Sequence, residues 1–213
     1  MTTALKEKLR QFAFVRFILV GYRFLRKIFW RIRGYIRLMK ISRRKGEVWL
    51  ELGAGSKPGT GNWVTIDING QCDVCYNLAK GVPFTEGSVS RIYSSHMFEH
   101  LTPTEASICM RECLRVLKIG GEFSIAVPNA RLYIDAYLQG DRTGHLLQVL
   151  TPIDYLNYTA YCGGAHKNMF DPDSLCHLLR SAGLINVSMR LFDPTVDLEI
   201  RRWESIYAKG YKA

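Results

Sequence analysis

The chain has 213 residues, 47% of them hydrophobic and 23% charged, which is enough for one full domain with an appendage and excludes a disordered or membrane-embedded composition. Its formal charge of +10 is unevenly placed: 14 of the 29 Lys/Arg but only one of the 19 acids, Glu7, precede residue 47. The leader therefore carries +13, and the rest, with 15 basic and 18 acidic residues, is a mildly acidic body.

Residues 11–40 project at about 100° per residue onto an amphipathic helix. Phe14, Phe17, Ile18, Gly21, Leu25, Ile28, Phe29, Ile32, Tyr35, Ile36 and Met39 share one uncharged arc, and Arg16, Arg23, Arg26, Lys27, Arg31, Arg33, Arg37 and Lys40 lie opposite. The longest uncharged stretch, Phe17 to Tyr22, falls far short of the ~20 residues a transmembrane helix needs. Arg16 and Arg23 interrupt any secretory signal, so the expected setting is cytoplasmic. Two readings of the apolar arc stay open. It lies on an anionic membrane face with Arg/Lys at the headgroups, or it packs on the chain's own sheet. Nucleic acid is an unlikely partner, because the basic residues face away from the aromatics and the body is acidic.

The body, residues 47–213, reads as alternating strands and helices. Val48–Leu52 is a first strand running into Gly53 and Gly55, and Trp63–Asp67 a second. The eight residues Ser56 to Trp63 are too few for a parallel crossover with a helix, which takes about a dozen or more. The first helix is therefore shortened or lost, and the leader could cover the sheet face it leaves open. Asp73–Tyr76 is a short third strand with its exit at Asn77-Leu78, and Val89–Ser95 a fourth ending at His96. Thr102-Pro103-Thr104-Glu105 starts a capped helix to about Leu117, with Gly120-Gly121 as its stop. Glu122–Val127 is the fifth strand. A tyrosine-rich insertion covers about 130–168, Asp171-Pro172-Asp173 opens a helix to Ala182-Gly183, and two strands follow near 186–191 and 204–209. The expected fold is α/β: a doubly wound, Rossmann-like sheet of seven mostly parallel strands.

The six cysteines (72, 75, 109, 113, 162, 176) read as reduced thiols. Cys72-x-x-Cys75 has no second pair to complete a zinc site, so no metal is expected.

Gly53-x-Gly55 is followed by Lys57-Pro58-Gly59, which departs from the dinucleotide G-x-G-x-x-G, and no P-loop is present. The ordered landmarks Glu51-Leu52-Gly53-Ala54-Gly55, Asp67, Asn77-Leu78, Pro83-Phe84, Ser95-His96-Met97-Phe98-Glu99-His100-Leu101 and Arg115-Val116-Leu117-Lys118-Ile119-Gly120-Gly121 resemble the class I S-adenosylmethionine (SAM)-dependent methyltransferases. The likeness is to the "methyltransferase domain 11" type and covers roughly residues 47–190. It implies that Gly53 and Gly55 admit the methionine and ribose of SAM, that Asp67 accepts from the ribose hydroxyls, and that Glu51 anchors near the amino group. Asn77, where many relatives carry Asp, would meet the adenine amine, and Leu78 would offer its N–H to the ring. His96 is the candidate base. Glu99 and His100 belong to the family's E-H signature and, with His145 and His166 of the insertion, are candidate substrate contacts. The tyrosines form a lid or pack the insertion onto the body. The leader and the insertion suggest O-methylation of a saccharide or lipid-linked surface-polysaccharide intermediate on the inner membrane face. The alternatives are a soluble small-molecule methyltransferase and a non-catalytic or nucleic-acid-binding protein of this fold.

Overall fold

Seven strands form one sheet: β1 (Trp49–Leu52), β2 (Trp63–Asp67), β3 (Val74–Cys75), β4 (Val89–Ser95), β5 (Leu117–Pro128), β6 (Ile185–Met189) and β7 (Ser205–Tyr211). The computed structural model describes residues 3–42, 46–143, 147–148 and 150–213. The strand order is β3-β2-β1-β4-β5-β7-β6. β7 is antiparallel to both neighbours and the other pairs are parallel. The order reverses between β1 and β4, so a crevice opens beyond their carboxyl ends.

Alternation along the strands sets the two faces apart. Leu50, Leu52, Val64, Ile66, Ile92, Phe123, Ile125 and Ala208 point to one side and are fully or almost fully buried. They pack in one core with α2 (Pro103–Val116) and α5 (Pro172–Ser181) through Ala106, Cys109, Met110, Cys113, Leu175 and Leu179. Both helices start on a capping box with proline in the first turn: Thr102 with Glu105, and Asp171 with Ser174. α2 ends at Val116, because Leu117 is already extended and pairs with Val89. The expected stop at Gly120-Gly121 therefore lies inside β5, where Gly120 takes a positive φ of 74°.

The opposite face carries Trp49, Glu51, Trp63, Arg91 and Tyr93. No helix occupies the β1–β2 connection, residues 53–62, as the short spacing implied, and none occupies the β2–β3 connection, residues 68–73. The segment after β6 covers part of this face. Arg190 there forms a two-pronged pair with Asp197 (2.6 and 2.7 Å), and the Tyr93 hydroxyl donates to the same carboxylate at 2.9 Å. Trp49, Glu51, Trp63 and Arg91 stay half-exposed.

The leader is a single helix, α1 (Thr3–Ser42), about 60 Å long at 1.5 Å per residue. It does not spread over the open face. It docks on the edge strand β3: a Cβ on Gly34 would lie 3.0 Å from the Cys75 nitrogen, Trp30 lies on Gly70, and Arg37 pairs with Asp73. Leu38 and Ile41 join the core. These contacts come from the side opposite the apolar arc, so the arc is turned outward, with Leu25 66%, Phe29 59%, Ile32 55% and Tyr35 64% exposed. No described helix is long and apolar enough to cross a membrane.

The insertion holds α3 (Ala130–Leu138) and α4 (Ile153–Tyr161). A lid of tyrosines is not what forms. Tyr133 and Tyr155 are wholly buried, with hydroxyls on Glu204 (2.8 Å) and Asp141 (3.2 Å), and Tyr158 packs against them. Only Tyr137 and Tyr161 of that set are exposed.

Candidate active site

The site is built from strand ends. After β1 the chain turns at Gly53 (φ 74°), whose N–H donates to the Ile66 carbonyl at 2.8 Å and so ties the turn to β2. Side-chain overlap enforces the glycine as well, since a Cβ here would run into Met97. Gly55 (φ 64°) donates its N–H to Asp67 Oδ2 at 2.9 Å, and Asn69 N–H donates to Oδ1 at 2.8 Å. The carboxylate that ends β2 is thereby fixed against the glycine turn, and each oxygen keeps a lone pair for a further donor. A Cβ on Gly55 would meet nothing within 4 Å, so the turn leaves open space above its backbone.

Asn77 follows β3 and caps a 3-10 turn, Leu78–Lys80, by accepting from Ala79 N–H at 3.0 Å. Between these ends lies a cleft of about 540 Å³ lined by Gly53, Asp67, Asn77, Leu78, His96 and His100, a size typical of small-ligand sites. Tyr76, Ile68 and Met97 supply further wall, and Glu105 and Lys167, 3.7 Å apart, also line it. The sequence reading missed these five. Tyr76 and Ile68 directly adjoin residues it selected, so strand-end position was the available signal.

His96 ends β4 in the left-handed region (φ 50°), an uncommon conformation for a side-chain-bearing residue. Its Nε2 lies 2.7 Å from Ser205 Oγ, which itself donates to the Arg201 carbonyl at 2.7 Å. Ser205 is therefore the acceptor, the imidazole carries its proton on Nε2, and Nδ1 faces Glu99 Oε1 at 3.5 Å. Burial, helped by the nearby Arg201 charge, pushes the His96 pKa down to about 3. A group that weak is a poor base at neutral pH. Glu99 is 2% exposed, and burial pushes its carboxyl up to about 8.

The other expected residues divide. His100 lies at the cleft with Nδ1 on the Ala165 carbonyl at 2.9 Å. His166 is half-buried beside it, ring centroids 5.2 Å apart, with Nδ1 3.0 Å from the Thr159 carbonyl. His145 lies outside the described residues. Glu51 does not line the cleft. It points to the open face, pairs with Lys57 at 2.7 Å, and lines a separate hollow of about 180 Å³ with Trp63 and Tyr93.

Residues 59–125, from just before β2 into β5, match the family model described as a methyltransferase domain. The chain also shares its fold with Haemonchus contortus phosphoethanolamine N-methyltransferase 2 in complex with S-adenosyl-L-methionine (TM-score 0.52, 11% identity). Over residues 59–125 the chain matches a methyltransferase domain, and its fold is that of the SAM-dependent methyltransferases. The overlap covers 84% of this chain and 52% of the Haemonchus enzyme, so the chain spans about half that enzyme's length. A SAM-dependent methyltransferase from Archaeoglobus fulgidus aligns at TM-score 0.51 and 16% identity over 90% of this chain and 100% of that one. At these identities the likeness is one of fold. No curated protein matches the chain in sequence.

The residues present fit SAM. The open space at Gly55 and the acceptor-only carboxylate of Asp67 suit a ribose diol, and Asn77 and Leu78 lie on the wall where an adenine would rest.

Proposed function

We propose that the methyltransferase acts on an oxygen of a saccharide or lipid-linked saccharide presented at an anionic membrane surface. The observation that carries the reading is α1. Its docked side reaches the cofactor end of the sheet, Trp30 lying on Gly70 three residues beyond Asp67, while its apolar arc faces outward. An interfacial helix buries such an arc at the headgroup boundary, and the +13 leader suits anionic lipid.

SAM, when bound, supplies a methyl group on a sulfonium whose leaving group is already activated. The chain's part is alignment. Asp67 holds the ribose hydroxyls, Asn77 the adenine amine, and Leu78 the ring through its N–H, while the glycine turn admits the rest. A hydroxyl acceptor must lose a proton. His100, its Nδ1 proton held by the Ala165 carbonyl, keeps Nε2 as a proton acceptor at the cleft. Lys167, which lines the cleft beside Glu105, would suit an acidic or phosphorylated part of the acceptor.

Vesicle flotation tests the membrane claim. The full chain should float with phosphatidylcholine vesicles containing phosphatidylglycerol, and Phe29→Asp/Ile32→Asp should abolish recovery without changing thermal stability. Equal recovery of wild type and variant contradicts it. A soluble small-molecule methyltransferase is the second reading, favoured by the Trp30, Gly34, Arg37, Leu38 and Ile41 contacts, which give the helix a structural purpose of its own.

A further inference from the structure

The turn after β4 and the end of the insertion meet in a cluster that SAM binding leaves unused. Lys167 and Asn168 N–H both donate to the Glu99 main-chain carbonyl, at 2.8 and 3.2 Å, which brings His166 beside the Phe98–His100 turn. Among the described residues neither side-chain oxygen of Glu99 has a hydrogen-bond partner, the nearest approach being His96 Nδ1 at 3.5 Å, although the residue is only 2% exposed. A buried carboxyl group without a hydrogen-bond partner is costly, and such a group calls for a ligand or a bound ion.

Two neighbouring imidazoles bring lone pairs, not protons, to the same place. Nδ1 of His100 and Nδ1 of His166 each sit on a main-chain carbonyl, of Ala165 and Thr159. A carbonyl only accepts, so the ring proton is on Nδ1 and the Nε2 lone pair is free in both rings. Metal-bound histidines show this arrangement, with the second nitrogen donating to a carbonyl that orients the ring. Among the described residues, one ligand atom from each of Glu99, His100 and His166 lie within 4.8 Å of one another.

We propose that Glu99, His100 and His166 form a binding site for a divalent transition-metal ion of the zinc class. Two imidazoles and one carboxylate favour such an ion over the oxygen-seeking magnesium and calcium. Three protein ligands leave a coordination position open. His100 and Ala165 line the cleft, so with the ion bound the His100 Nε2 is a ligand instead of a base, and an acceptor hydroxyl completing the shell would be acidified by the ion; that role, unlike the site itself, rests on the methyl-transfer reading. No contiguous metal motif is present, because His166 lies 66 residues beyond His100.

The test is a calorimetric titration of the metal-stripped full chain with Zn²⁺, in the absence of SAM, supported by the visible absorption of a Co²⁺ adduct. The expected result is one equivalent bound, with affinity weakened at least about tenfold in each of His100→Ala and His166→Ala. Glu99→Gln should weaken binding similarly while its metal-free melting temperature is unchanged or higher, which separates ligand loss from misfolding. No binding, or binding that persists at full affinity in the double variant His100→Ala/His166→Ala, which would place the ion on thiols, overturns the proposal. Because SAM is absent throughout, this outcome is independent of whether the cleft binds SAM.

Discussion

Replacing Gly53 by alanine perturbs the glycine turn in two separable ways. The left-handed φ of 74° costs a side-chain-bearing residue about 1–2 kcal/mol. The added Cβ also overlaps the side chain of Met97, which is 8% exposed and has little free space, and overpacking of this kind costs about 1–3 kcal/mol. The expected loss is thus about 2–5 kcal/mol. Gly55→Ala is the internal control. Its φ is also positive, at 64°, but its Cβ meets nothing within 4 Å, so only the backbone cost of about 1–2 kcal/mol remains. Urea unfolding of both variants, of Met97→Gly and of Gly53→Ala/Met97→Gly gives the difference and the coupling energy, glycine being needed at 97 because the overlap begins at the Met97 Cβ. Removing Met97 should make the alanine at 53 cheaper by about 1–3 kcal/mol. Equal destabilisation by Gly53→Ala and Gly55→Ala, or no coupling to Met97, refutes the argument that overlap enforces this glycine.

Asp197→Ala leaves the Arg190 guanidinium without its carboxylate in a site where the two side chains are 11% and 1% exposed, and Tyr93 loses its acceptor; thermal or urea unfolding should show a loss of about 3–5 kcal/mol. Trp30→Ala should loosen α1 from β3 with little effect on the core, read as faster tryptic removal of the leader while the remaining domain resists digestion. For Asp171, the Ser174 hydroxyl and then the Ser174 N–H hold its carboxyl below the ordinary 3.8. A depressed folded value means that its stabilisation is present above that pH and is lost as pH falls through the lower folded value. Melting temperature against pH should therefore have a shallower acid limb in Asp171→Ala than in wild type.

Much of this site follows from local chemistry. Strand periodicity, the glycine turn and an acid ending the second strand suffice to put Gly53, Gly55 and Asp67 together, because parallel strands align their carboxyl ends. The capped helices α2 and α5 were equally legible, since their caps are contiguous in the chain. What escaped depended on partners distant in sequence. Glu51 occupies the expected position, yet it points to the open face because alternate residues of β1 face opposite ways, and Lys57 holds it there. The tyrosines suggested a lid, but Glu204 and Asp141 satisfy their hydroxyls inside the fold. For α1, helical projection found the apolar arc correctly but did not reveal that Trp30, Gly34 and Arg37, on the other side, make the contact. His96 shows the same limit: its place at a strand end was readable, but the burial that weakens it as a base was not.

The central claim is that the cleft beside the glycine turn holds SAM with its ribose on Asp67. Calorimetric titration with S-adenosylhomocysteine, the product form that shares this ribose, tests it most directly in wild type and Asp67→Ala. Hydrogen bonds to a charged acceptor contribute about 1.5–3 kcal/mol, so one site is expected in wild type and roughly ten- to hundredfold weaker binding in the variant. Absence of binding to wild type, or equal affinity in the two proteins, would contradict the account.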